Sequence, residues 1–308
     1  MHVFLTGGSG LTGPAVVSDL LAAGHRVTGL ARSDAAAARL EGFGADVRRG
    51  ELADLDALRA GAAASDGVVH MAFSSDFGDP DGLVRLDTEA LTAMGEALQG
   101  TGRPLVMTSG TFAMTPGRVS VETDAPDESS AAHFRIPGER ACLAFADQGV
   151  RASVIRLSPA VHGPGDYGFL AMLIAAARKA GVAPYIGDGA NRWPAVHRGD
   201  AATLFRLAAE KAPAGSCLHG ADESGLTQRT IAEAVGRKLG LPTASLTLEE
   251  MAPLFAVPFI ANAFAIDAPA SSALTRSLLR WTPTHPTLLE DLDSGDYFDE
   301  DAPAWPHA

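Results

Sequence analysis

The chain has 308 residues, of which 46% are hydrophobic and 20% charged, and its formal net charge is −13. That composition fits a soluble globular protein of one large domain or two modest ones, and so acidic a surface repels nucleic-acid phosphates and anionic membranes. Cys142 and Cys217 lack metal-ligand spacing and disulfide density, no apolar run approaches the ~18 residues of a membrane span, and MHVFLTGG is no signal peptide, so a cytoplasmic, metal-free protein with a small-molecule partner is expected.

Residues 2–6 (HVFLT) read as a strand, 11–23 as a helix and 25–31 as a second strand. A helix over 35–41, a strand over 45–50 and a helix over 54–63 follow, then a buried strand over 67–72 (GVVHMA). The spacing next predicts a helix over 82–99, a strand over 104–109 (PLVMTS), a helix over 137–148 and a strand over 151–157 (RASVIRL). Strands alternating with helices at this spacing form βαβ units, which predicts an α/β fold with a doubly wound parallel sheet of the Rossmann type. Further on, 200–210 and 227–239 read as helices and 216–219 as a short strand, with prolines at 242, 253, 258, 269, 283 and 286. The expected division is a dinucleotide-binding domain over 1–160, with part of 190–220, and a smaller α/β substrate lobe over 161–308 interleaved with it. The tail after Asp293 reads as irregular.

The stretch TGGSGLTG (6–13) lies between the first strand and the first helix. Gly7 permits a tight turn, Gly10 lets the backbone approach a pyrophosphate, and Gly13 lets the helix pack close to the sheet. The N–H groups of this loop, which also contains Ser9, Leu11 and Thr12, would then face the phosphates. At the end of the second strand stand Ala31-Arg32-Ser33, with Asp34 only afterwards. The planar fork of Arg32 suits the 2′-phosphate of NADP. The alternative is an exposed Arg32 with Asp34 on the ribose of NAD, so NADP(H) is the expected cofactor and NAD(H) the second choice.

Taken with GELADLDAL (50–58), VVHMAF (68–73), VMTSG (106–110), VIRLSPAVHGPGD (154–166), WPAVHRGDAATLF (193–205) and RSLLRWTPTHPTLLEDL (276–292), the glycine loop gives the chain a clear resemblance to the extended short-chain dehydrogenase/reductases, the NAD-dependent epimerase/dehydratase family. The resemblance implies that Glu51 and Leu52 border the adenine and that Met71, Ala72 and Phe73 skirt the cofactor. It also implies that Ser158 to Val161 reach the nicotinamide amide and that Ser109 is the serine that hydrogen-bonds the substrate oxygen. Thr111, Tyr167 and Trp193 stand where such proteins build a substrate pocket, and His197 where they pack their lobes together. Relatives often pair through the helices placed here at 82–99 and 137–148, so a homodimer is the matching expectation.

One departure from the family stands out. Its Tyr-x-x-x-Lys pair, in which the lysine lowers the tyrosine's pKa and the tyrosine moves the proton, is absent from AHFRIPGERA (132–141). Aligning Glu139 with the family's acidic residue, at its usual distance from Arg156, puts Ala131 at the tyrosine position and Arg135 at the lysine position. Counting from Ser109 instead puts His133 and Pro137 there. Arg135 would hold the ribose as a cation but would not shuttle protons. The candidates for the proton are His133, His162, water or the substrate itself. The function these residues imply is an NADP(H)-dependent oxidoreductase with a non-standard proton donor, acting on a carbonyl, enone or imine. The alternatives are a catalytically degenerate NADPH sensor or scaffold and an epimerase or dehydratase.

Overall fold

The computed structural model describes residues 1–74, 78–257 and 260–299. The first half of the chain alternates strand and helix: β1 (His2–Thr6), α1 (Gly13–Ala22), β2 (Arg26–Ala31), α2 (Asp34–Gly42), β3 (Asp46–Arg49), α3 (Leu55–Ala63), β4 (Gly67–His70) and α4 (Pro80–Leu98). After β5 (Pro104–Gly110) the chain makes short 3-10 turns at 111–113 and 133–135, then α5 (Ile136–Ala144) and β6 (Arg151–Leu157). Next come β7 (Ala160–His162), α6 (Phe169–Ala180), β8 (Ala183–Ile186), β9 (Arg192–His197), α7 (Arg198–Lys211), β10 (Ser216–Gly220), β11 (Glu223–Thr227), α8 (Gln228–Leu239) and β12 (Thr243–Leu246). Four short helices follow: α9 (Leu248–Met251), α10 (Ala261–Phe264), α11 (Ala273–Leu279) and α12 (Leu288–Ser294).

Seven parallel strands form the main sheet, in the order β10-β6-β5-β4-β1-β2-β3. The order reverses at β1, and β1 and β4 end on either side of that switch point, where open α/β sheets bind their ligands. Strands buried on both faces read as apolar runs, as in Val3-Phe4-Leu5 and Val68-Val69, all at most 1% exposed. One apolar core, with Val16, Val17, Leu20, Leu204 and Phe205, packs α1 and α7 on one face. Another, with Leu58, Leu91, Met94 and Cys142, packs α3, α4 and α5 on the other.

The second lobe has a three-stranded sheet, β11-β9-β7, and the pair β12-β8, over a core centred on Trp193, Phe264 and Ile231. All five of its strands, and helix α6, are absent from the sequence-based reading. Helix α7 and strand β10 belong to the main sheet's layers, because α7 packs on α1 and β10 extends the sheet beyond β6.

Helix α1 starts at Gly13 rather than 11, with Pro14 in its first turn, where a missing N–H costs nothing. Helix α4 starts earlier than expected, at Pro80, because Asp79 caps it by accepting from Gly82 N–H at 2.9 Å. Helix α5 ends at Ala144, before a separate turn at 146–148. Among the described residues, the exposed large hydrophobic side chains are Met1, Phe43, Val119, Val121, Leu248, Leu274 and Leu278, and none of them lies on α4 or α5, the helices of the expected dimer. No described helix is long and apolar enough to cross a membrane. Pro258 and the end of the tail, from 300 on, lie outside the described residues.

Candidate active site

The glycine loop is shaped by close approaches. Gly7 has φ +76°, and a Cβ there would sit 2.6 Å from Ala72 N, so the loop lies directly against the 71–72 turn that leaves β4. A Cβ on Gly13 would sit 2.3 Å from the Gly7 carbonyl oxygen. Only glycine allows both contacts, and they bring the start of α1 over the end of β1. Thr12 makes no side-chain cap, and the first turn of α1 has no acidic residue. Its N–H groups and positive dipole end are thus left for an anion.

At the end of β2, Arg32 is exposed and makes no ion pair among the described residues. Ser33 caps α2, accepting from Ala36 N–H at 3.2 Å. Asp34 instead pairs with Arg49 of β3 at 2.8 Å. Glu51 is exposed, and Leu52 packs partly on the core beneath α3.

The end of β5 is the other half of the site. Ser109 is 5% exposed and Thr111 fully buried, yet neither hydroxyl has a hydrogen-bond partner. Arg135 Nη1 is buried and likewise makes no hydrogen bond, its nearest charge being Asp87 Oδ2 at 3.5 Å. Buried polar groups are normally satisfied, so the hydroxyls at the end of β5 are available to polar groups of a ligand. These residues fit a dinucleotide: a glycine loop for its diphosphate at one end and orphaned donors for its far end at the other.

A buried chain of polar groups leads to Arg135. Thr6 Oγ1 accepts from Ala72 N–H at 3.3 Å, leaving its own hydrogen for His70 Nδ1 at 2.8 Å. A carboxylate only accepts, so His70 donates from Nε2 to Asp87 Oδ1 at 3.2 Å. Asp87 Oδ2 lies 3.5 Å from Arg135 Nη1, and Arg135 Nη2 donates to the Thr108 carbonyl. Burial pushes the Asp87 carboxyl up, but the Arg135 charge and the His70 hydrogen bond outweigh it and hold the group below its ordinary value. The Arg135 guanidinium also lies over the Phe73 ring, 3.9 Å from its centre.

Helix α5 is built for this contact. Pro137 sits in its first turn without harm. A Cβ on Gly138 would meet Asp87 Oδ2 at 2.4 Å, so glycine leaves room for the carboxylate. One helical turn after Arg135, Glu139 accepts from Arg156 Nη2 at 2.8 Å and Nε at 3.1 Å, both side chains being 2% exposed. That pair fixes the face of α5 and turns Arg135 inwards on the same side.

The model of the NAD dependent epimerase/dehydratase family matches residues 3–217. The chain belongs to that family. An uncharacterized protein of Schizosaccharomyces pombe is 45% identical over 97% of this chain and 100% of its own. A 3-diazoavenalumate denitrifying reductase of Streptomyces sp. is 29% identical over 95% of this chain and 99% of its own. Among solved structures, DesIV, a dTDP-glucose 4,6-dehydratase from Streptomyces venezuelae with NAD and TYD bound, superposes with a TM-score of 0.77. It is 18% identical and covers 98% of each chain, a likeness of fold.

For a member of the NAD dependent epimerase/dehydratase family the substitutions are clear. The chain's tyrosines are Tyr167, Tyr185 and Tyr297, and its lysines Lys179, Lys211 and Lys238. Tyr185 packs under Arg229, and Tyr297 Oη accepts from Gly163 N–H, so neither stands beside Ser109. Ala131 is exposed, while Arg135 is buried against β5. His133 is exposed on the 133–135 turn with Nδ1 2.9 Å from the Ser130 carbonyl.

Two expectations, for His162 and Trp193, need correction. His162 does not line the cleft: it is 1% exposed, with Nδ1 2.9 Å from Asp291 Oδ2 and its ring edge-on to His197. Trp193 is a core residue, 1% exposed, ringed by Phe112, Phe169 and Phe264, with Nε1 donating to the Ile266 carbonyl at 3.1 Å. Tyr167 is half-buried within electrostatic reach of Arg39 and Arg198, and Gly168 beside it packs on Leu11 of the glycine loop. The Ser158 hydroxyl is already committed, donating to the Gly220 carbonyl at 2.8 Å. Val161 is half-buried in β7 and packs on the core under α1 and α7. His197 accepts from Gly199 N–H at 3.1 Å and stacks on His285, as expected of a residue that packs elements together.

Sequence reasoning missed His70 and Asp87. A histidine in a fully buried strand and an aspartate on the apolar face of α4 were the available signals.

Proposed function

We propose that the protein is an NADPH-dependent reductase whose hydride acceptor is activated on its own account. The carrying observation is the set of orphaned buried groups, Ser109, Thr111 and Arg135, with no tyrosine among them. Bound reduced nicotinamide would supply a hydride. The glycine loop and the start of α1 would hold the diphosphate, Arg32 and Ser33 the 2′-phosphate, and Arg135 the nicotinamide ribose. Glu51, Leu52, Met71, Ala72 and Phe73 would line the adenine and the turn beside the cofactor. Arg32 makes no ion pair among the described residues, while Asp34 faces Arg49, which supports NADP(H) over NAD(H).

Ser109 and Thr111 would donate hydrogen bonds to the acceptor's heteroatom, which takes up the electron pair as the carbon gains the hydride. A positioned acid is worth ~10²–10⁴-fold, so a plain ketone would be a poor substrate. Enones and iminium ions need such an acid less, and so does a diazo group, which would take the hydride on its terminal nitrogen; the Streptomyces relative is named for a diazo substrate. His133, with Nε2 at the surface, would act only through water.

The second reading, an NADPH sensor without catalysis, is favoured by the same missing tyrosine. An epimerase or dehydratase is disfavoured, since each must move a proton as well as a hydride. Titration with NADPH and NADH, then assays of reduced-nicotinamide absorbance with ketones, enones, imines and a diazo compound, separate these readings. Tighter NADPH binding and turnover of the activated acceptors are expected. Tight binding with no oxidation by any acceptor refutes the reductase and leaves the sensor.

A further inference from the structure

Arg198, the first residue of α7, ties together three segments far apart in sequence. Its Nη2 donates to the carbonyl of Leu11 in the glycine loop, and its Nη1 to the carbonyl of Pro164. Pro164 belongs to the Gly163–Gly168 strap between β7 and α6. A Cβ on Gly163 would sit 2.9 Å from Arg198 Cδ, and one on Gly168 3.1 Å from Leu11 Cδ2, so strap, arginine and loop are packed together. The strap is fixed from its other side. Gly163 N–H donates to Tyr297 Oη at 2.9 Å, Gly165 N–H to Asp296 at 3.0 Å, and Tyr297 Oη to Asp166 at 3.2 Å. Arg198 makes no ion pair among the described residues and is neutralised by no direct contact.

We infer that Arg198 is a positioning residue for the dinucleotide's diphosphate, acting through the Leu11–Thr12 peptide. This rests on the dinucleotide reading above. The peptide is planar and trans, so with the Leu11 carbonyl held on Arg198 the Thr12 N–H points the opposite way. Neither the Thr12 nor the Leu11 N–H has a backbone acceptor among the described residues. A cation on the carbonyl polarises the peptide and strengthens the N–H at its other end. Arg198 thus orients and sharpens a phosphate-binding donor, and it adds a positive charge, facing only the Asp166 carboxyl across the strap, beside the loop of a protein that is otherwise strongly acidic. Tyr167, on the strap, lies within electrostatic reach of both Arg198 and Arg39 of α2.

The test is calorimetric titration of the full chain with ADP and with adenosine, which share a base and sugar but not the phosphates. Arg198→Gln keeps an N–H donor group, on the amide nitrogen alone, and loses the charge. It is expected to weaken ADP binding by about 10–100-fold while changing adenosine by less than about twofold, and Arg198→Lys to recover part of the loss. Tyr297→Phe, which loosens the strap and leaves the charge, is expected to bind ADP as the wild type does. Equal weakening of ADP and adenosine by Arg198→Gln, or none, overturns the inference. A wild-type chain that binds neither NADPH nor ADP refutes the dinucleotide reading itself, and the inference falls with it.

Discussion

Replacing Asp87 is the sharpest test of the buried chain beneath Arg135. The carboxylate is 2% exposed, and the Arg135 side chain 10%. Asp87→Leu leaves a guanidinium inside the protein whose nearest opposite charge is gone, and Glu139 is already bound to Arg156. Breaking a buried pair in this way costs about 3–5 kcal/mol, a large part of the roughly 5–15 kcal/mol that holds a typical domain folded. Removing both charges with Asp87→Leu/Arg135→Met leaves no buried charge, only the His70 N–H and the Thr108 carbonyl without partners, so the double variant is expected to regain part of that loss. Asp87→Asn keeps an acceptor for His70 and tests the charge alone. Because the Asp87 carboxyl is held below its ordinary value in the fold, its contribution is full above the unfolded carboxyl range. It is lost as pH falls through the lower folded value. The gap between wild type and Asp87→Asn should therefore narrow in acid. Urea unfolding followed by circular dichroism at several pH values, with unchanged m-values, measures it. A loss below about 1 kcal/mol for Asp87→Leu, or a double variant no better than the singles, would show that the pair does not carry this charge balance.

Arg32→Ser is expected to weaken NADPH about 10–100-fold and leave NADH nearly unchanged, read by fluorescence titration; equal effects on both would remove Arg32 from the 2′-phosphate. Gly7→Ala must adopt φ +76° and push into the 71–72 turn, so a loss of at least about 1–2 kcal/mol in thermal or urea unfolding is expected, together with weaker NADPH binding. Asp166 is 4% exposed, and burial pushes its carboxyl up to about 6. Its penalty is absent below the unfolded carboxyl pKa and grows as pH rises to the folded value. Asp166→Asn should accordingly stabilise the protein by up to about 3 kcal/mol at pH 8 and by little at pH 4, as urea unfolding at the two pH values would show. Ser109→Ala, at an orphaned hydroxyl, should reduce turnover of an accepted substrate without loss of stability, and unchanged kcat would exclude it from the chemistry.

Much of the first domain was legible because its signals are local. Apolar runs of strand length, the glycines at 7, 10 and 13 and the alternation of elements each depend on neighbours along the chain. The second lobe was less so: Arg192–His197 and Ala160–His162 are short strands that pair only with each other and with β11, and nothing in their own residues shows which edge they join. The AHFRIPGERA stretch shows the division most clearly. The absence of tyrosine and lysine is a fact of the sequence alone, and so is the placement of Arg135 one turn before Glu139. What Arg135 touches was decided only when β1, β4, α4 and α5 came together, because Thr6, His70, Asp87 and Arg135 meet through packing of elements up to 129 residues apart in the chain, counted from Thr6 to Arg135. The same packing withdrew His162 and Trp193 from the cleft and set Arg198 against Leu11. Residue type sets the chemistry a side chain can perform; burial and long-range partners, which no local pattern encodes, decide whether it is free to perform it.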